Sequence, residues 1–96
     1  MKRSNTQNIK EVIDLLLEEM QIKQKLKEVE AIREWKEMMG KTVARHLRDV
    51  VIHRRVMFVR LNSSIVRAEL NMMRSAMVKA VNDRVGEVVI DDMVIK

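Results

Sequence analysis

Residues 47–70, LRDVVIHRRVMFVRLNSSIVRAEL, decide how the rest of the chain is read. Val50, Val51 and Ile52 form one β-branched run and Val56 to Leu61 a second. His53, Arg54 and Arg55 lie between them, so the stretch predicts a hairpin. The turn has no glycine, which predicts a slightly longer loop with exposed guanidinium groups. Period-two alternation puts Met57, Val59 and Leu61 on one face and Val56, Phe58 and Arg60 on the other. The Met57 face is expected to meet the helices. Ser63 or Ser64 then caps a helix whose inner stripe is Val66, Leu70, Met73, Met77 and Val81. Glu69 stands near its start, and Arg67 and Arg74 mark its outer face.

Upstream of the hairpin the chain reads as helical. Thr6 or Asn8 can cap a first helix in which Ile9, Val12, Ile13, Leu16, Leu17 and Met20 follow helical spacing. Such a stripe calls for burial. Gln21 to Gln24 is expected to break or loosen this helix. A second helix from about Lys25 carries Leu26, Val29, Ile32, Trp35 and Met39 at three- and four-residue steps. Gly40 can end it. The recurrence of Trp35, Met39 and Val43 instead favours continuation through the glycine, with close approach of another element as the reason for it. Downstream, Gly86 ends the helix opened at Ser63-Ser64. Val89 to Ile95 gives a third strand, which a crossover helix lets pair in parallel with one hairpin strand. The order is α-α-β-β-α-β, an α+β fold with a three-stranded sheet covered by helices on one face. Residues 1–5 are read as a flexible N-terminus and 6–96 as a single domain.

Composition narrows the function. Ninety-six residues give room for one small core, and 47% hydrophobic with 34% charged residues suits a folded domain. There is no cysteine, hence no disulfide or thiolate metal site, which fits a reducing cytoplasm. No apolar run is long enough to span a bilayer. Nine methionines fill the gaps that one Trp and one Phe leave. His46 and His53 have no metal-ligand spacing and read as surface or boundary residues. No acid/base pair, activated nucleophile or phosphate-binding glycine loop is present, so the expectation is no enzyme, no cofactor and no metal.

Charge is unevenly spread. Residues 1–40 hold eight Lys/Arg and eight Asp/Glu, residues 41–84 ten against three, and residues 85–96 one against three. The excess sits around the hairpin, and Lys41, Arg45, Arg48, Arg54, Arg55, Arg60, Arg67 and Arg74 are the candidate phosphate contacts. A solvated face that keeps a small protein dissolved reads equally well from the same residues.

Three segments carry a family resemblance: REWKEMMGKTVARHL (33–47), VVIHRRVMFVRLNSSIVRAEL (50–70) and NDRVGEVVIDDMVIK (82–96). Trp35, Gly40, Ala44, His46, Ser63, Ser64, Glu69 and Leu70, in that order and spacing, make the chain resemble the DciA family. The resemblance implies a fold similar to the type II KH domain. It also implies a bacterial loader or operator of the replicative DNA helicase, with DNA and that helicase as partners. Two departures stand out. Val66 and Arg55 occupy places where members often have Trp and Gly, and the chain is expected to lack the C-terminal extension of longer members. No Gly-x-x-Gly clamp is present, so KH-style readout of single strands is not expected. The alternative is a protein-interaction or homo-oligomerisation module without nucleic-acid binding.

Overall fold

The computed structural model describes residues 6–96, with side chains from residue 8 onward. The expected flexible stretch, residues 1–5, lies outside the described residues. Helix α1 spans Thr6–Ala44 and strands β1 and β2 span Leu47–His53 and Val56–Leu61. Helices α2 and α3 span Ser64–Met72 and Arg74–Val85, and strand β3 spans Asp92–Ile95. The sheet order is β1-β2-β3, with β2 antiparallel to β1 and parallel to β3. This is the expected α+β class with a mixed sheet.

The helices divide differently from their reading. No Gln21–Gln24 break occurs, because α1 holds neither proline nor glycine before Gly40 and glutamine is a good helix former. Gln24 donates to Glu28 one turn on, at 3.3 Å. Gly40 is not helical either: its φ of 77° and ψ of −171° bend α1 there. A Cβ added to it would meet nothing within 4 Å. The glycine is therefore required by its own backbone conformation, and the expected close approach is absent. The helix opened by Ser63 is broken once, at Met73, where φ is −106° and ψ is 12°. Ser63 caps α2 by accepting from Val66 N–H at 3.3 Å.

The core lies between the sheet and the C-terminal half of α1 with α3. Met57, Val59 and Leu61 face inward as expected, with Met93 and Ile95 beside them on β3. Trp35, Ala31, Leu70, Met77, Val81, Val89 and Ile90 close the cluster. Asn82 fixes the passage from α3 to β3. Its side chain accepts from Val89 N–H (2.9 Å) and Ile90 N–H (3.1 Å) and donates to the Ile90 carbonyl (2.9 Å). Arg84 ties α3 to α1 through Glu34 at 2.8 Å. The N-terminal half of α1 projects from this head, and the molecule measures 67 × 23 × 19 Å. The stripe from Ile9 to Met20, expected to be buried, is exposed along its whole length.

Candidate nucleic-acid interface

Gly40 redirects the chain from the long helix into β1. One further turn, closed by Arg45 N–H to the Lys41 carbonyl at 3.1 Å, carries Lys41 and Arg45. Together with Ala44 these two line a shallow groove. Ala44 is also a wall of a second groove of about 330 Å³, lined by Trp35, Lys36, Met39, Gly40, Val43, Leu47, Arg48 and Asp49. Arg48 reaches it through a bulge. Leu47 pairs with Leu61 and Asp49 with Arg60, so Arg48 is left without a cross-strand partner at the free edge of the sheet. Lys36, Lys41, Arg45 and Arg48 thus surround one corner of the molecule.

Among the described residues none of these four cations has an ion-pair partner. Close by, Arg60 is held by Asp49 at 2.9 Å, and Arg67 donates to the Leu61 carbonyl at 2.9 Å, which leaves its charge unneutralised. Lys36 is a residue that the sequence reading missed. No local signal marked it while Gly40 was read as a helical position, because the bend that sets Lys36 beside Arg48 is a feature of the fold.

The other candidates lie at the far end of the hairpin. His53 pairs with Val56, so the turn is only Arg54-Arg55, both with positive φ (51° and 67°). This corrects the expected longer loop: a two-residue turn of the I′ kind matches the twist of the strands even without glycine. Along β1 the two ends are about 20 Å apart. Arg55 is clamped by Asp91, with Nε to Oδ2 at 2.9 Å and Nη2 to Oδ1 at 3.1 Å, and its carbonyl accepts from Asp91 N–H at 2.7 Å. The hydrogen bond from Arg55 holds the Asp91 carboxyl below its ordinary range, and the same bond raises the Arg55 guanidinium. Arg74 lies 3.7 Å from Asp92. Of the three arginines at this end, only Arg54 has no carboxylate partner among the described residues.

The rest of the surface offers little chemistry. Phe58 lies on the open face of the sheet with Lys96 Nζ 5.6 Å from its ring centroid. Trp35 is fully buried, and its indole N–H has no partner. His46 is half-buried with Nδ1 3.2 Å from Asn62 Oδ1, and His53 is exposed. Among the described residues no group of three or more His, Cys, Asp or Glu could hold a metal ion. No helix among them is long and apolar enough to cross a membrane.

The family model described as "Dna[CI] antecedent, DciA" matches residues 8–95, nearly the whole chain. The chain belongs to the DciA family. DciA proteins are of the helicase-loader type and form no known enzyme class. No curated protein and no solved structure matches the chain. At Arg55, one of the two positions read from the sequence as departing from the DciA pattern, the backbone adopts positive φ and the side chain is held by Asp91.

Proposed function

We propose that this DciA chain is a non-enzymatic binding module that acts beside the replicative DNA helicase in the cytoplasm. On this reading it grips nucleic-acid backbone with the corner formed by Lys36, Lys41, Arg45 and Arg48. The observation that carries the reading is the division of the cations. Asp91 and Asp92 neutralise two of the three at the hairpin tip, whereas the four around Gly40 are unopposed and share two adjoining grooves. Arg67, whose charge is unneutralised, extends the same end; Arg54, Arg55, Arg60 and Arg74 are assigned no contact. A relation to KH domains is proposed for the fold only. With glycines only at positions 40 and 86 there is no backbone clamp, and the buried Trp35 is not available for stacking. Binding should therefore be electrostatic and indifferent to base identity.

The test is salt dependence on a generic single-stranded oligonucleotide. Four phosphate contacts give a slope of log affinity on log salt of about −3, so affinity falls roughly 50-fold between 50 and 200 mM salt. Reversing the charges of Lys41, Arg45 and Arg48 together should flatten the slope to above about −1. An affinity that ignores salt would sink the backbone-contact reading. Pull-down of the replicative helicase by the same variant separates the two partners, because helicase retention with DNA binding lost places them on different surfaces.

A further inference from the structure

Helix α1 carries a second apolar line, apart from the face that continues into the core. Val12, Leu15, Ile22, Leu26 and Val29, with Glu19 in the one polar layer, recur at alternating steps of three and four residues. Those are the a and d positions of a heptad seam. The five apolar members are 54, 64, 60, 64 and 62% exposed. At about 100° per residue, the fully buried Ala31 lies about 180° round the helix from Ile22. The seam therefore faces away from the head, and packing within one chain does not account for its sequence. A helix that only had to stay dissolved would carry polar residues there.

We propose that a second copy of this chain covers the seam, the two α1 arms pairing antiparallel as a two-stranded coiled coil about 26 Å long. The seam is self-complementary in that direction. Val12 meets Val29 of the second copy, Leu15 meets Leu26, and Glu19 meets Ile22, each layer occurring twice. The charges agree. Residues 11–19 of the arm are acidic (Glu11, Asp14, Glu18, Glu19) and residues 23–27 are basic (Lys23, Lys25, Lys27). Antiparallel pairing lays the acidic stretch of each arm on the basic stretch of the other, with Glu18 opposite Lys25 and Glu19 beside Lys23. A parallel pair would also match flanking charges, Glu18 with Lys23 and Lys25 with Glu30. It would, however, stack Glu19 on Glu19 inside the seam. Exposed flanking pairs contribute little, whereas like charges in a desolvated layer are strongly unfavourable. This inference is independent of the nucleic-acid reading.

Sedimentation equilibrium of the full chain tests it. The average mass should rise from one chain to two with concentration. Ile22→Asp should raise the dissociation constant at least 10-fold, and Leu17→Asp, on the opposite side of the helix, should leave it unchanged. The chain has no cysteine, so added ones report orientation cleanly. Leu15→Cys mixed with Leu26→Cys should cross-link on oxidation, and Leu15→Cys alone should not. A mass of one chain at every concentration overturns the proposal. So does a dimer indifferent to Ile22→Asp, an assembly larger than two, or self-cross-linking of Leu15→Cys.

Discussion

Gly40 offers the sharpest test of how the corner is built. Its φ of 77° and ψ of −171° fall in a region that only glycine occupies without strain, and the site has open space around it. Replacing it with L-alanine therefore introduces no clash and isolates the backbone term, expected at about 1–3 kcal/mol of destabilisation. For a domain of this size that lowers the melting temperature by about 4–24 °C. The mirror-image residue reverses the sign. D-alanine in the same conformation is relaxed, and it restricts the unfolded chain, so it should stabilise by about 0.4–1 kcal/mol. Urea denaturation of Gly40→Ala and of the semisynthetic D-alanine protein measures both. Helix propensity opposes this logic, since alanine in a straight helix is favoured over glycine by about 1 kcal/mol. Were L-alanine to stabilise and D-alanine to destabilise, α1 would run straight through Gly40. Lys41 and Arg45 would then not be directed toward Arg48, and the corner would not exist as described.

Two further outcomes follow from named contacts. Asn82→Ala removes three hydrogen bonds and leaves the N–H groups of the buried Val89 and Ile90 without partners. A loss of about 2–3 kcal/mol is expected by chemical denaturation, with Asn82→Asp losing less because it keeps the acceptor. A loss under about 1 kcal/mol would mean the loop holds without this staple. The Arg55–Asp91 pair governs acid behaviour. Because Asp91 titrates below its ordinary range when folded, its stabilising effect is present at neutral pH and fades as pH falls through that lowered value, below about pH 4. The stability gap between wild type and Asp91→Asn should therefore narrow in acid. A gap that is the same at pH 3 and pH 7 would show that the carboxylate charge is not what the pair contributes.

How much of this was legible follows from the range of the forces involved. Alternation along Val56–Leu61 is a local signal, and it correctly placed Met57, Val59 and Leu61 in the core. The crossover argument gave the parallel β3, and the Ser63 cap and the stop at Gly86 were both read from a few neighbouring residues. The misplaced features depend on context that a window does not hold. The break at Met73 differs from its reading by small propensity differences that neighbouring turns override; the straight passage through Gln21–Gln24 is the exception, a local signal of good helix formers that the reading underweighted. The bulge at Arg48 appears only when β1 is laid against β2 in register. Arg54-Arg55 forms a tight turn although its residues do not favour one, with Asp91, thirty-six residues beyond Arg55, closing it.

The same long-range pairing changes how the charge should be counted. By sequence, residues 41–84 are strongly basic and residues 85–96 mildly acidic, and nothing local says where the acids go. The parallel crossover settles it, because β3 begins beside Val56 and so delivers Asp91 and Asp92 to the hairpin tip and no further. Two of the eight candidate cations are neutralised there by topology, and Asp49 takes a third within the hairpin itself. The cations that stay unopposed beside one another, Lys41, Arg45 and Arg48, are those set by the bend at Gly40 and the bulge that follows. A backbone irregularity, rather than the density of arginine, is what concentrates positive charge on this molecule.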